Sequence, residues 1–249
     1  MRFTWLAKAL APMLLLLATA ASADPIDSSG FDAVLHAHVK GGVVDYPAIA
    51  ADERFSAFID ALARPAALGN KQDKLVYYMN AYNALAMKGI INGLSPSSFF
   101  GRQHYFKLAS YRLNGQDVNL DALEHTIIRS LGEPRIHFSI VCASRSCPKQ
   151  RSDAYTTAML EMQLEENARE FINDTSRNRF AKQAKIAYLS EIFKWFAEDF
   201  VKSAGSVQKF IARYAGDPDV TRDLLNDSYQ IRYNTYDWNL NGPPPGKNN

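Results

Sequence analysis

The stretch KQDKLVYYMNAYNALAMKGIING, residues 71–93, decides the fold. Its apolar residues recur every three or four positions, which is the spacing of one wide face of an α-helix. They are Leu75, Tyr78, Met79, Tyr82, Leu85, Ala86 and Ile90. Gly93 follows at a position where helices commonly end. We therefore expect a long helix that packs against the rest of the chain along this face.

Further helices are predicted on both sides of this segment. The same spacing occurs in residues 52–64, 119–132, 156–174, 190–205 and 206–216. Strand patterns are fewer: residues 135–142, a hairpin in residues 105–120 with Asn114-Gly115 at its turn, and weaker patterns in residues 185–190 and 229–238. We expect an α+β fold, a helix-rich single domain with a small, mostly antiparallel sheet.

The first 23 residues have the pattern of a secretory signal peptide. Arg2 and Lys8 precede an apolar run, and Ala21-Ser22-Ala23 forms an A-x-A cleavage site. The apolar run is shorter than the roughly 20 residues that a membrane-spanning helix needs. We expect a mature protein in the periplasm or secreted, without stable membrane insertion. Its single globular domain would cover residues 24–242, followed by a disordered tail over residues 243–249.

The composition is that of an ordinary globular protein, with 47% hydrophobic and 22% charged residues. Without Arg2 and Lys8, the 28 basic residues fall to 26 and equal the 26 acidic ones, so the mature chain carries no net charge. This balance gives no reason to expect a nucleic-acid partner. No motif requires a cofactor or indicates a metal site. A small-molecule or peptide substrate stays open, and a protein partner is unknown from the sequence.

Both cysteines lie in RIHFSIVCASRSCP, residues 135–148. Their spacing is neither the C-x-x-C of thioredoxin-like proteins nor a zinc pattern. In an oxidising compartment Cys142 and Cys147 can form a disulfide, while a free reactive Cys142 and two inert thiols are the alternatives. Alternation along the predicted strand would put His137 and Cys142 on opposite faces, about 16 Å apart. A base for Cys142 would then come from elsewhere, with His125 a candidate.

The helix predicted over residues 119–132 carries a carboxylate inside its apolar stripe. Because Glu124 would face the core, it must be paired or have a raised pKa, and such groups are frequent at active sites. The alternative is that Glu124 caps the start of the helix together with Asp121. His125 and Arg129 lie four residues apart and share the neighbouring face of the helix.

Two asparagines interrupt the long helix. Asn80 and Asn83 lie one turn apart beside the apolar stripe. Asparagine is unfavourable inside helices because its side chain competes for backbone hydrogen bonds. Either these side chains bind neighbouring loops and fix the packing, or they line a pocket and bind a substrate.

Four motifs occur in the order YYMNAYNAL, LDALEHTIIR, PRIHFSIVCASRSCP and YDWNLN. Together they resemble the bacterial exported branch of the domain of unknown function 547 family, over about residues 30–241. The resemblance implies a Glu/His/Cys/Arg constellation, here Glu124, His125, Cys142 and Arg129. It also implies a distant likeness to cysteine proteases, with Cys147 less central to the pattern.

The leading hypothesis is a thiol hydrolase or an acyl or peptidyl transferase. Cys142 would be the nucleophile, with His125 as its base, or His137 if the predicted strand breaks. Glu124 would orient the imidazole. Arg129 would hold an anionic substrate group or stabilise the thiolate.

Two other hypotheses belong to different functional classes. One is a non-catalytic periplasmic module for ligand binding or signalling, with Asn80, Asn83 and Arg129 along its groove. The other is thiol–disulfide exchange through Cys142 and Cys147, which a reduction potential would reveal.

Overall fold

The computed structural model of the protein describes residues 26–245. The predicted signal peptide, residues 1–23, lies outside this range, as do residues 246–249 of the predicted tail. Within the described range, no helix combines the length and the apolar character that crossing a bilayer requires.

The described chain is rich in helix and has small sheets. The α-helices are α1 (Ser29–His38), α2 (Tyr46–Ala50), α3 (Glu53–Ala63), α4 (Lys71–Ile91), α5 (Phe99–Gln103), α6 (Leu120–Ala122), α7 (Leu160–Asn173), α8 (Ile192–Trp195), α9 (Ala197–Ala204), α10 (Val207–Ala212) and α11 (Pro218–Leu225). The strands are β1 (Val39–Lys40), β2 (Val43–Val44), β3 (Tyr111–Leu113), β4 (Gln116–Val118), β5 (Arg179–Ala181), β6 (Ile186–Leu189) and β7 (Gln230–Tyr233). All neighbouring strands pair antiparallel except β6 and β7. The predicted helix-rich α+β class is confirmed.

The long helix α4 forms as the apolar spacing predicts. The side chain of Asn70 accepts from the backbone N–H of Asp73 at 3.0 Å, and the Asp73 carboxylate accepts from the backbone N–H of Asn70 at 3.1 Å. This reciprocal capping satisfies two N–H groups that the first turn leaves without partners. Gly93 follows the helix at φ 85°, a conformation that costs a glycine little. Most of α4 is buried, so it forms the centre of the molecule.

Two hydrophobic cores flank the cysteine segment. The first surrounds α4 and includes residues of α1, α3 and β3. The second consists mainly of residues from α7, β6, α8, α9 and α10. Ile136 and Ile140 belong to the first core, whereas Phe138 belongs to the second. The segment leading to the cysteines is therefore held at the junction of the two cores.

The strand predicted over residues 135–142 is wrong. Pro134–Phe138 forms a 3₁₀-helix, capped by the Glu133 side chain, which accepts from the backbone N–H of Arg135 at 3.1 Å. Proline suits the first position of a helix because it has no N–H to satisfy there. Beyond this turn, the Asn83 amide binds the backbone of residues 139 and 141. The Glu133 cap and the Asn83 amide therefore supply the backbone hydrogen bonds that pairing with a neighbouring strand would have supplied.

The helix predicted over residues 119–132 has an unexpected internal geometry. Its N-cap is Asn119, whose side chain accepts from the backbone N–H of Ala122 at 2.7 Å, so the capping role considered for Glu124 with Asp121 is wrong. After α6 the chain continues as a π-helix, Leu123–Ile128, and a 3₁₀ turn, Arg129–Leu131. The wider π turn is often found at functional sites.

The other predicted helices and strands form, but their ends differ from the predicted ones. The hairpin forms, and Asn114 and Gly115 take φ 50° and 74° at its turn. Positive φ at both positions is what a tight turn between antiparallel strands requires. The two weaker strand patterns correspond to β6 and β7. The helix predicted over residues 190–205 breaks at Phe196 into α8 and α9, and the one predicted over residues 156–174 begins only at Leu160.

Candidate functional site

A cavity of about 240 Å³ is lined by residues from both cores. It brings together side chains that the sequence singled out: Glu124, His125, His137, Cys142 and Cys147. Aromatic rings form much of the remaining wall, namely Tyr82, Phe106, Trp195, Phe196, Tyr236 and Trp238. Such a mainly apolar cavity with a few convergent polar groups is typical of a ligand or active site.

The two cysteines form a disulfide in this structure, with an S–S distance of 2.07 Å. Cys142 is partly exposed, whereas Cys147 is buried. The Tyr236 hydroxyl lies 3.4 Å from the sulfur of Cys142 and 3.3 Å from that of Cys147, and the Ser144 hydroxyl lies 3.2 Å from Cys142 Sγ. Of the alternatives that the sequence left open, the disulfide is the one formed here. The surrounding hydroxyl groups are placed to donate to a thiolate once the bond is reduced.

His137 is held by a carboxylate that the sequence did not reveal. Its Nε2 lies 2.7 Å from Oδ2 of Asp199, and its ring stacks on Phe196 with centroids 3.8 Å apart. His137 is 3% exposed, and its buried Nδ1 has no hydrogen-bond partner among the described residues. The carboxylate favours the neutral tautomer with its proton on Nε2, which leaves the lone pair on Nδ1. Burial lowers the pKa of His137, so the neutral ring is favoured.

The separation expected between His137 and Cys142 assumed a strand, which does not form. The 3₁₀ turn and the irregular chain after it let both residues line the same cavity. His125 also lines the cavity, but it is exposed and its Nδ1 lies 3.1 Å from Nη1 of Arg129. Burial lowers the pKa of His125 as well. His137 is thus buried and hydrogen-bonded to Asp199, whereas His125 is exposed and lies beside Arg129.

Arg129 is the second hydrogen-bond partner of Asp199. Its Nε and Nη2 donate to the two carboxylate oxygens of Asp199 at 2.8 and 3.0 Å, a bidentate pair. Arg129 does not line the cavity, so the structure does not place it to hold a substrate anion or a thiolate there. The hydrogen bonds from His137 and Arg129 keep the pKa of Asp199 well below its usual range. Asp199 therefore stays ionised and keeps His137 oriented.

Glu124 is hydrogen-bonded and has a raised pKa, as expected of a carboxylate that faces the core. The Tyr82 hydroxyl donates to its Oε2 at 3.1 Å, and burial raises the pKa of Glu124 to about 7. The sequence suggested that Glu124 orients the imidazole. For His137, Asp199 has this role instead. Glu124 instead contributes a carboxyl group that changes protonation near neutral pH.

Asn80 and Asn83 fix the packing and do not line this cavity. They are 1% and 2% exposed. The Asn80 amide binds the backbone N–H and carbonyl of Tyr155 at 2.9 and 2.8 Å. The Asn83 amide binds the Val141 N–H at 2.8 Å and the Ser139 carbonyl at 3.1 Å. Their amide groups are thus bonded to the backbone and are not free to bind a substrate.

The C-terminal segment, residues 236–241, closes the cavity over the disulfide. The backbone N–H of Arg145 donates to the Asn239 carbonyl at 2.8 Å, and that of Asn241 donates to the Ala143 carbonyl at 3.1 Å. These bonds bring Tyr236 and Trp238 to the cavity wall. The motif YDWNLN therefore belongs to the site, a role that its sequence alone did not indicate. Asp199 was missed because no spacing signal links it to His137, 62 positions earlier.

Residues 66–172 match the model of a protein family described as Protein of unknown function, DUF547. The match covers less than half of the chain. The family resemblance noted in the sequence is confirmed over these residues, which include Glu124, His137 and both cysteines. The matched segment does not reach Asp199 or Tyr236, so part of the site comes from outside it. Comparisons of the whole chain with curated proteins and with solved structures gave no match.

Proposed function

We propose that the protein is a cysteine-dependent hydrolase or acyl or peptidyl transferase, active when the Cys142–Cys147 disulfide is reduced. The observation that carries the proposal is that one cavity contains Cys142 together with His137, whose ring is oriented by Asp199. A nucleophile, a base and a group that orients the base are the three parts that this chemistry requires.

The reaction begins with reduction of the disulfide by a dithiol, which is itself oxidised to a disulfide and leaves two thiols. Nδ1 of His137 takes the proton of the Cys142 thiol, and the thiolate forms a bond to the acyl carbon of the substrate. The bond to the leaving group breaks, and the leaving group takes the proton from His137. Attack by water gives hydrolysis, and attack by an amine gives transfer. In either step His137 takes a proton from the attacking water or amine, the bond between the acyl carbon and Cys142 Sγ breaks, and the proton passes to the Cys142 sulfur.

Reduction also frees a backbone group next to the nucleophile. The N–H of Cys142 donates to Sγ of Cys147 at 2.9 Å in the oxidised form. With the two sulfurs no longer bonded, the Cys147 side chain is free to rotate away, and this N–H then donates to the oxyanion that forms on the substrate. The disulfide therefore blocks the nucleophile and its neighbouring donor at the same time.

The proposal includes export to the periplasm or secretion, as in the bacterial exported branch of the family. It rests on the signal-peptide pattern of residues 1–23, and a disulfide that persists in an oxidising compartment agrees with it. Mass measurement of the protein recovered from its native source tests this part. A mature chain beginning at Asp24 supports export, and retention of residues 1–23 contradicts it.

A free Cys142 thiol tests the proposed nucleophile directly. In Cys147→Ser, Cys142 is the one remaining cysteine of the chain, so alkylation reports on it alone. We expect iodoacetamide at pH 7 to modify Cys142 about tenfold faster in folded than in denatured protein, because a neighbouring base and hydroxyl groups favour the thiolate. Mass spectrometry over time gives the rates.

Three further substitutions in the Cys147→Ser background separate the candidate partners. His137→Gln removes the proposed base and should abolish the acceleration, and Asp199→Asn should reduce it. His125→Gln is the matched control and should retain it. Equal alkylation rates in folded and denatured protein, or an unchanged rate in His137→Gln, would exclude the proposed mechanism.

A second candidate function is supported by the closed disulfide and the aromatic wall. With both sulfurs bonded to each other, the cavity presents rings from Trp195, Tyr236 and Trp238, whose centroids lie 4.5 to 5.7 Å apart. Such a surface suits a non-catalytic module that binds an apolar ligand. A disulfide that survives mild reduction, together with slow alkylation of Cys142, would favour this function.

Thiol–disulfide exchange would instead require a reduction potential near that of cellular dithiols.

A further inference from the structure

A second cleft, of about 550 Å³, adjoins the first cavity. The two share Cys147 and Pro148 in their walls. Arg145, Lys149 and Arg177 line the second cleft, and no acidic side chain of the described residues does. The first cavity is mostly aromatic and the second is bordered by cations, so the two differ in the ligand chemistry that they favour.

The three cations are not equally available. The Arg177 guanidinium pairs with Asp174 and donates to the backbone carbonyls of Arg145 and Cys147, so it holds the cysteine loop in place. Lys149 pairs with Glu170 at 2.8 Å, but both side chains are largely exposed, and such a pair is weak in water. Lys149 can therefore exchange Glu170 for a ligand anion at little cost.

Arg145 is the cation best placed to bind an anion. It is exposed, and among the described residues no carboxylate lies within ion-pair distance of it. Its Nε donates to the Leu240 carbonyl at 3.3 Å, which fixes the guanidinium on the C-terminal segment. The two terminal nitrogens make no further hydrogen bond within the described chain, and a guanidinium binds carboxylate or phosphate oxygens through parallel N–H bonds.

The backbone opposite Lys149 leaves room for this cleft. Gly42 has φ 87°, and a Cβ at this position would lie 2.7 Å from Cβ of Lys149. A side chain at residue 42 would therefore displace Lys149 from its place in the cleft wall. The β1–β2 turn thus lies against Lys149 without filling the space beside it.

We propose that this cleft binds an anionic group, a carboxylate or a phosphate, of the substrate whose acyl group enters the aromatic cavity. The proposal rests on the proposed function for the acyl part, whereas the anion site itself does not require a reactive Cys142. The shared wall at Cys147 makes the substrate an acyl compound with a negative charge close to its reacting carbonyl. Arg145 thereby takes the role of anion binding that the sequence had suggested for Arg129.

Binding of small anions to the oxidised protein tests the site without catalysis. The probes are inorganic phosphate and N-acetylalanine, with the uncharged N-acetylalaninamide as the comparison, each titrated at low salt while amide NMR shifts are recorded. We expect saturable shifts at residues 144–149 with at least one of the two anions and not with the amide. Arg145→Gln should weaken that binding about tenfold or more, because it removes a charge-assisted hydrogen-bond pair.

The matched control is Arg232→Gln, which removes an exposed cation of β7 that lines neither cavity. It should bind the anions as the unsubstituted protein does. Saturable binding of N-acetylalanine alone assigns a peptide-like carboxylate to the cleft, binding of phosphate alone assigns a phosphate group, and either supports the proposal. Absence of saturable shifts, or equal binding by Arg145→Gln, overturns it. Because Cys142 is oxidised throughout, these outcomes are independent of the alkylation experiment.

Discussion

At the scale of single residues, the site contains two carboxyl groups in opposite states. Asp199 is bonded to His137 and Arg129, which keeps its pKa low and the carboxylate ionised. Glu124 lies beside the aromatic wall, and among the described residues the Tyr82 hydroxyl is its one hydrogen-bond donor. Burial raises its pKa to about 7. Two titratable groups whose surroundings drive their pKa values apart are a common feature of acid–base sites.

The raised pKa of Glu124 makes folding stability depend on pH. The folded state binds the Glu124 proton more tightly than the unfolded state, whose pKa is near 4.5. This contribution is fully present below pH 4.5 and is lost as the pH rises through about 7. Ionised Glu124 then costs about 3 kcal/mol at pH 8, from the size of the shift. We expect Glu124→Gln to gain about that much relative to the unsubstituted protein between pH 4.5 and pH 8.

Urea unfolding of both proteins across this pH range measures the effect, and the difference between them removes the titration of other groups. Tyr82→Phe provides a second comparison, since the Tyr82 hydrogen bond lowers the pKa of Glu124. Without it, the loss of stability should still begin near pH 4.5 but continue to a higher pH and become larger. A difference between Glu124→Gln and the unsubstituted protein that stays constant with pH would show that Glu124 is not buried as a neutral acid.

At the scale of structural elements, one asparagine on α4 shapes the segment that carries the site. The Asn83 amide binds the backbone carbonyl of Ser139 and the N–H of Val141, directly before Cys142. These groups are buried, and no strand within residues 26–245 pairs with them. The long helix therefore positions the cysteine loop through a side chain.

Asn83→Ala should destabilise the protein by about 3 kcal/mol. It leaves the buried Val141 N–H without a partner, at roughly 1–3 kcal/mol, and removes one of the two hydrogen bonds to the Ser139 carbonyl, which keeps the one from the Tyr155 hydroxyl. Asn92→Ala is the control, since Asn92 is exposed at the end of the same helix. Its effect should stay within about 0.5 kcal/mol. Urea unfolding at neutral pH compares the two. Equal stabilities for both variants would mean that the loop before Cys142 does not depend on α4.

Local sequence signals predicted the elements that local forces determine. The apolar spacing of α4 and the Asn114-Gly115 turn were sufficient because periodic burial and positive φ are properties of short stretches. The strand over residues 135–142 failed although the capping signal at Glu133-Pro134 was present in the sequence. β-Branched composition is a weak preference, and tertiary hydrogen bonds from Asn83 outweighed it.

The site itself was predictable only in part. Glu124 could be recognised as a site candidate because a carboxylate inside an apolar helix stripe is unfavourable unless it is paired. The cysteines could be recognised because the chain has only two, five positions apart. Asp199 is one of several acidic residues near α9, and only the packing of the second core brings it to His137. Arg145 resembles any exposed cation until the C-terminal segment fixes its guanidinium.

At the scale of the whole molecule, the disulfide joins two positions that the fold already holds together. The cysteine loop lies between two hydrophobic cores, and the C-terminal segment pairs with it through backbone hydrogen bonds. The disulfide itself closes a loop of only five positions, so it restricts the unfolded chain little. The cores, rather than the sulfur bond, are therefore expected to maintain the fold.

Reduction of the disulfide should lower the free energy of unfolding by about 2 kcal/mol, the value expected for so short a loop. A domain of this size is typically stable by about 5–15 kcal/mol, so the reduced protein should stay folded. Denaturant unfolding followed by tryptophan fluorescence, with and without a dithiol, measures the difference, and Cys142→Ser/Cys147→Ser should match the reduced protein. Trp195 and Trp238 beside the disulfide would report any local change. Cooperative unfolding on reduction alone would show that the thiol form has no assembled cavity, and the proposed chemistry would then lack a folded catalyst.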